Sequence, residues 1–100
     1  MDDKAKALYE AVVSRHINVR KHLPAGKEIL FLAHVGGTTY EIRGVGRLSG
    51  GVMLFEGGDD ETGTFIILAS PECCACQIRV ISRVPEQPPK PAIGFKGLMD

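Results

Sequence analysis

The residues from Glu28 to Val84 constrain the fold of this chain most strongly, because short apolar stretches there are separated by glycine pairs. The pairs Gly36-Gly37 and Gly50-Gly51 each indicate a turn, and Gly57-Gly58 begins an acidic, glycine-led loop over residues 57–61. The stretches between them are short and rich in branched apolar residues, as is typical of strands. We therefore predict about five strands with tight connections. They cover residues 28–35, 39–48, 52–56, 62–69 and 76–84.

The second of these strands contains Gly44 and Gly46, which lie on one face. Two glycines on one face of a strand indicate a bend or a close approach of another backbone. Small barrels use such kinks to curl their sheets. The order of elements therefore predicts a small, strongly bent, five-stranded antiparallel barrel, mainly β, with one N-terminal helix laid on it.

A helical period precedes the strands, over residues 4–23. The apolar face carries Ala5, Leu8, Tyr9, Val12, Val13, His16, Val19 and Leu23. Asp2 and Asp3 suit the N-terminus of a helix, and Pro24 with Gly26 stops it. Such a helix must bury its apolar face, and the following sheet is its partner.

The totals describe one small domain of 100 residues, with 44% hydrophobic residues and a formal net charge of zero. A strongly basic nucleic-acid footprint is absent at the level of the whole chain. The charged start shows no signal peptide, and no apolar run is long enough to span a membrane. Three cysteines within four positions do not form a disulfide framework, so we expect a cytoplasmic protein.

In its helix-then-strands layout the chain resembles the Sm-like (LSm) family, and within it the bacterial Hfq-type RNA-binding proteins. The resemblance covers roughly residues 4–88 and depends on few residues. Gly44 or Gly46 corresponds to the glycine of the family's bent second strand. The end of the last strand, Val80 to Pro85, is similar to the final strand and exit of those proteins. Residues 1–88 would then be the Sm-like domain, and residues 89–100 a proline-bearing tail.

The resemblance implies a homo-oligomeric ring of about five to seven subunits, in which strand 62–69 of one subunit pairs with strand 76–84 of the next. Such pairing would satisfy two sheet edges that are otherwise unpaired. It also implies binding of single-stranded RNA at the pore, without catalysis, cofactor or metal.

Two loops bind RNA in the family. The first corresponds here to residues 48–53, where Ser49 and Gly50 are the candidate contacts and the family's aspartate and asparagine are missing. The second corresponds to residues 74–79, where neither Arg-Gly nor Lys-His is present and Gln77 and Arg79 are the candidates.

Other residues offer alternatives. Arg43 and Arg47 share a strand face and could bind phosphate, although Glu41 lies on the same face. The cysteines 73, 74 and 76 could bind metal, but a second ligand pair is missing, which favours buried or turn cysteines. Acidic residues 59–61 are more typical of a solvated loop tip than of a cation site. His34 is more typical of a hydrogen-bonded structural histidine than of a catalytic base.

The sequence thus favours an RNA-binding Sm-like ring. An alternative is a ring that binds proteins, which the missing loop residues and the zero net charge favour. A third hypothesis is a small enzyme with an unrecognised site. Lys90, in the sequence PPKP, would belong to an exit tail or to a motif for a proline-recognising partner.

Overall fold

A computed structural model describes residues 3–99. The elements follow in the order α1 (Lys4–Lys21), β1 (Lys27–Val35), β2 (Thr38–Glu41), β3 (Gly44–Leu48), β4 (Val52–Asp59), β5 (Gly63–Ala69), a short 3-10 helix (Pro71–Cys73), β6 (Cys74–Ser82) and β7 (Gly94–Met99). The protein is therefore mainly β with one N-terminal helix, as predicted.

The helix begins at a side-chain cap. The carboxylate of Asp3 accepts a hydrogen bond from the backbone N–H of Lys6 at 2.9 Å, which satisfies one of the unpaired N–H groups of the first turn. The helix ends at Lys21, two residues before the predicted end, and the His22 ring hydrogen-bonds the Asn18 carbonyl at 2.9 Å. Within residues 3–99, no helix combines the length and the hydrophobicity that a membrane span requires.

The strands form two sheets. The first sheet has the order β2-β1-β6, and the second has the order β5-β4-β3-β7. All pairs are antiparallel except β3 with β7, which is parallel. The predicted five-stranded closed barrel is therefore wrong in two respects, because residues 3–99 contain seven strands and their two sheets are not closed into a barrel.

One extra strand arises because the predicted strand 39–48 is divided between the sheets. The backbone N–H of Ile42 donates to the Phe31 carbonyl of the first sheet at 2.9 Å. The next N–H, that of Arg43, donates to the Glu56 carbonyl of the second sheet at 2.8 Å. The chain thus changes partner between two consecutive residues, and it bends there, before Gly44 and Gly46, where the sequence had placed the bend.

The other extra strand is β7, which lies in the predicted tail 89–100. It pairs along the edge of β3, with Gly44 opposite Gly94 and Leu48 opposite Met99. The tail therefore contributes a strand to the second sheet from residue 94 onward.

The boundaries of two further strands differ from the prediction. β4 continues through Gly57-Gly58 to Asp59, so the loop that the sequence predicted over residues 57–61 begins only after residue 59. A Cβ atom on Gly57 would overlap Cζ of Phe65 and would lie 2.6 Å from the Glu41 carbonyl oxygen. Gly57 is thus required by close packing within the sheet. The final long strand, β6, covers Cys74–Ser82 and not residues 76–84.

The core lies where the two sheets and the helix meet. Its largest fully buried side chains are Phe31, Phe55, Ile42, Met53 and Val45. Ala5 and Val12 of the helix belong to the same cluster, and His16 of the helix is buried as well. Tyr9 and Tyr40 are half-buried against this core.

Candidate nucleic-acid interface

Two of the predicted contacts, Gln77 and Arg79, lie on the outer face of the first sheet. Along β6, the alternate residues Cys74, Cys76 and Ile78 pack against the core. Gln77 and Arg79 therefore point to the opposite side, where both are exposed. The family resemblance assigned residues 74–79 to an RNA-binding loop, whereas the structure places them in β6.

A third polar residue, His34 of β1, connects Gln77 of β6 with Thr39 of β2, so that the three side chains form a row across the sheet. Its Nδ1 atom lies 2.8 Å from the Thr39 hydroxyl, and its Nε2 atom lies 3.3 Å from Oε1 of Gln77. The neutral ring satisfies both contacts when Nε2–H donates to Gln77 and the Thr39 hydroxyl donates to Nδ1. His34 is thus hydrogen-bonded on both nitrogens, which agrees with the structural role that the sequence favoured.

The sequence did not pair His34 with Gln77. Its pairing with Thr39 follows from the Gly36-Gly37 turn, which sets His34 directly opposite Thr39. The contact with Gln77 depends on the register between β1 and β6, which sequence pattern does not specify.

Apolar side chains share this face. Leu30 lies opposite Arg79 and Leu32 lies opposite Gln77, and both leucines are only partly buried. The outer face of the first sheet therefore combines an apolar platform with one exposed guanidinium and hydrogen-bonding groups. The guanidinium can contact a phosphate and the polar groups can contact a base edge, but the three described strands present no Phe, Tyr or Trp on this face for a base to stack on.

Acidic groups border the same face and reduce its positive potential. Glu28 lies at the start of β1 and Glu41 at the end of β2. Lys90 of the tail meets both carboxylates: its backbone N–H donates to Glu28 at 3.3 Å, and its Nζ lies 3.3 Å from Oε2 of Glu41. The lysine of the PPKP sequence thus binds two carboxylates of its own chain, one through a hydrogen bond and the other through an ion pair.

Arg43 and Arg47 are not on the exposed face where the sequence placed them. Val45, which lies between them, is fully buried in the core. Arg43 forms an ion pair with Glu41 at 2.6 Å, and Arg47 forms one with Asp3 at 3.6 Å. The Arg47 side chain is only 19% exposed. The prediction of a shared solvent face for the two arginines is wrong, and each guanidinium already faces a carboxylate.

Ser49 and Gly50 lie in the turn between β3 and β4, away from Gln77 and Arg79. Gly50 adopts a φ of 92°, which suits glycine. Gly50 and Gly51 line a cleft together with residues 3–4 and 70–72. Within the cleft Lys4 and Glu72 form an ion pair at 3.0 Å, and hydrogen bonds from Lys4 and Ser70 lower the pKa of the Glu72 carboxyl. The carboxylates of Asp3 and Glu72 make this cleft unfavourable for phosphate.

Hydrogen bonds within the loop hold the acidic tip, and two of the three cysteines are partly buried. Asp59 accepts hydrogen bonds from the N–H groups of Glu61 and Thr62 and from the Thr62 hydroxyl, and these bonds lower the pKa of its carboxyl. Burial raises the pKa of the Cys74 thiol, and it raises that of Cys76 to about 12. Among residues 3–99, no three His, Cys, Asp or Glu side chains are grouped so as to hold a metal ion.

Comparisons with protein families, with curated proteins and with solved structures give no match. Two features of the molecule therefore bear on its function. One is the outer face of the first sheet, and the other is the set of strands at the edges of the sheets.

Proposed function

We propose that this protein is an Sm-like, homo-oligomeric ring protein that binds single-stranded RNA without catalysis. The ring would form by pairing β5 of one subunit with β6 of the next. Gln77 and Arg79 of each subunit would contact the RNA. The observation that carries the proposal is the pair of long open strands at the sheet edges, one in each sheet.

The open edges favour self-association. Within the described residues β5 pairs only with β4, and β6 pairs only with β1, so each leaves one side of its backbone unpaired. An unpaired edge is a template for another strand. Ile66 and Leu68 on β5 are 64% and 58% exposed, and Val80 on β6 is 47% exposed. Pairing of the two edges would satisfy both backbones and would cover part of these side chains with those of the neighbouring strand.

A ring would also multiply a weak RNA site. A single subunit offers one exposed arginine, Arg79, on the outer face of the first sheet, and the chain carries no net charge. Repetition around a ring raises the overall affinity because each later contact is intramolecular. The proposal therefore requires assembly before RNA binding.

The test has two stages. The first is the native mass by light scattering on a sizing column at moderate salt, where a single species of about five to seven subunits is expected. The second is a titration of the oligomer with fluorescent oligo-U and oligo-A over a series of salt concentrations. Each arginine–phosphate interaction that is lost should make the slope of log affinity against log salt shallower by about 0.7, and replacing an arginine removes one such interaction for every subunit that the RNA contacts.

The informative variant in the second stage is Arg79→Ala, with Arg15→Ala as the matched control. Arg15 is an exposed arginine on α1, so its replacement changes the net charge equally but leaves the first sheet intact. We expect weaker binding and a shallower salt slope for Arg79→Ala only. Equal effects of the two variants would contradict a site on β6, and a monomeric native mass would contradict the ring.

The second candidate is a ring that binds protein partners and no RNA. The ion pairs of Arg43 and Arg47 favour it, because each guanidinium already faces a carboxylate of the same chain. The same experiment separates the two functions, because this candidate predicts a defined oligomer with no change in the fluorescence anisotropy of either oligonucleotide.

A further inference from the structure

The C-terminal strand β7 fills a groove between the helix and β3. The N–H of Gly94 donates to the Arg43 carbonyl at 2.9 Å, where the strand enters the second sheet. Further along, the N–H of Gly97 donates to the Tyr9 hydroxyl of α1 at 2.8 Å. The tail is thus held by backbone pairing on one side and by the helix on the other.

Phe95 anchors the strand in this groove. Its ring meets Tyr9 edge-to-face with 6.4 Å between centroids, and it meets His16 in the same way at 5.1 Å. His16 is only 4% exposed. An aromatic anchor in a buried aromatic pocket, beside a paired backbone, is the arrangement by which many domains bind an extended peptide.

The glycines of β3 shape the groove for its occupant. A Cβ atom on Gly46 would lie 3.3 Å from the Gly97 carbonyl oxygen, from Cβ of Lys96 and from Sδ of Met99. A Cβ atom on Gly44 would lie 3.0 Å from Cε of Lys96. Both glycines are buried, and neither has a positive φ, so close approach of the tail accounts for them.

The segment that connects this strand to the rest of the protein is long and proline-rich. β6 ends at Ser82 and β7 begins at Gly94, which leaves eleven residues between them. Four of the eleven are prolines, and most of the segment is exposed. Extended, eleven residues span roughly 36–40 Å, which exceeds the two shorter dimensions of the molecule, 31 and 25 Å. The segment is therefore long enough to carry β7 to the groove of an adjacent molecule once Lys90 leaves Glu28 and Glu41.

We propose that the groove between α1 and β3 is an exchangeable strand-binding site, and that its alternative occupant is the segment 94–99 of a second copy of this chain. The exchange needs no new contact, because the incoming strand makes the bonds that the chain's own tail makes. A tethered tail has an effective concentration of about a millimolar, so the chain's own tail occupies the groove in dilute solution. Exchange becomes favourable when subunits are held together or when the chain's own tail is weakened.

Two full-length variants with complementary defects test this. Phe95→Ala keeps the groove but removes the anchor of its own tail. Gly46→Val keeps the tail but fills the groove. Donor dye on the exposed Cys73 of the first variant and acceptor dye on Cys73 of the second would report association by energy transfer. The control acceptor is the double variant Gly46→Val/Phe95→Ala, which retains all other surfaces and so reproduces any transfer caused by ring assembly.

We expect the complementary pair to give more energy transfer than the control pair. Adding Tyr9→Phe to the Phe95→Ala chain, which supplies the groove, should lower the association constant about fivefold. The Gly97 N–H of the incoming strand then has no hydroxyl to accept its hydrogen bond. Equal energy transfer in the complementary and control pairs would overturn the proposal.

A second variant guards against misfolding. If Phe95→Ala does not fold, Gly97→Pro replaces it, since proline removes the N–H that Tyr9 accepts and cannot adopt the φ of 66° found there. If neither variant folds, the tail and the groove are one inseparable folding unit, and the exchange is refuted.

Discussion

The double substitution Ile66→Ser and Leu68→Ser should dissociate the proposed ring. The two side chains are 64% and 58% exposed. A subunit contact that covered them completely would bury the exposed surface of about 1.2 whole apolar side chains. Complete burial of one such side chain contributes about 1.5–3 kcal/mol. The double variant should therefore weaken each contact by about 2–3.5 kcal/mol, or about 30- to 400-fold in its association constant.

The assay is sedimentation velocity over a range of protein concentrations. The substitutions affect every contact of the ring equally, since each subunit contributes one β5, and we expect the variant to sediment as a monomer where the natural chain is an oligomer. Ile17→Ser is the matched control: Ile17 is 49% exposed but lies on α1, so its replacement should leave the mass unchanged. An unchanged mass in the double variant would refute the β5 contact, and so would a natural chain that is monomeric throughout.

Three further predictions concern stability and reactivity. Burial and, to a smaller extent, the neighbouring Arg20 lower the pKa of His16 below its ordinary value of 6.5. The unfolded chain therefore binds the proton more readily, and the free energy of unfolding should hold above pH 6.5 and fall as the pH drops below it. Urea denaturation at several pH values measures this, with His16→Gln as the variant in which this part of the dependence disappears. Gly57→Ala should destabilise the protein by about 1–3 kcal/mol through overpacking. Gly94→Ala should be nearly neutral, because its added Cβ would meet nothing closer than 3.8 Å. Thermal unfolding of the two alanine variants and the natural chain measures both effects. In the folded protein a thiol reagent should modify the exposed Cys73 quickly, and it should modify Cys76, with its pKa of about 12, only on unfolding.

Specific results would contradict each of the three. For the histidine, the opposing result is an equal decrease of stability at low pH in the natural chain and in the variant. For the glycines, it is equal melting temperatures for the two alanine variants. For the cysteines, it is rapid labelling of more than one thiol in the folded chain, measured by mass spectrometry.

The local elements of this fold were predictable where a single chemical signal determines them. The spacing of the apolar residues predicted α1, whose start agrees and whose end differs by two residues. The turns at Gly36-Gly37 and Gly50-Gly51 separate strands as predicted. The pair Gly57-Gly58 predicted the start of a loop and failed, since Gly57 makes room for Phe65 and the Glu41 backbone within a continuous strand. A glycine required by a turn and a glycine required by packing look alike in sequence.

The contacts of the candidate site were predictable only in part, because they combine local alternation with long-range register. Alternation along β6 placed Gln77 and Arg79 on the outer face. The partner of Arg47 is Asp3, which lies at the start of α1. That ion pair depends on how the helix docks on the second sheet, and nothing in the pattern around Arg47 specifies the docking. The proline-rich composition after residue 84 likewise concealed β7, because its pairing is with a strand some fifty positions earlier.

Gly44 and Gly46 have a different role in the structure from the one that the Sm-like resemblance gave them. In the sequence they represented the glycine of a bent strand, and they carried part of the resemblance. In the structure the bend lies before them, at Ile42 and Arg43, and the glycines accommodate Lys96, Gly97 and Met99 of the tail. Their presence is thus accounted for by packing within this chain. The proposed ring therefore depends on the open edges of β5 and β6, and the native mass of the natural chain and of its β5 variant tests those edges directly.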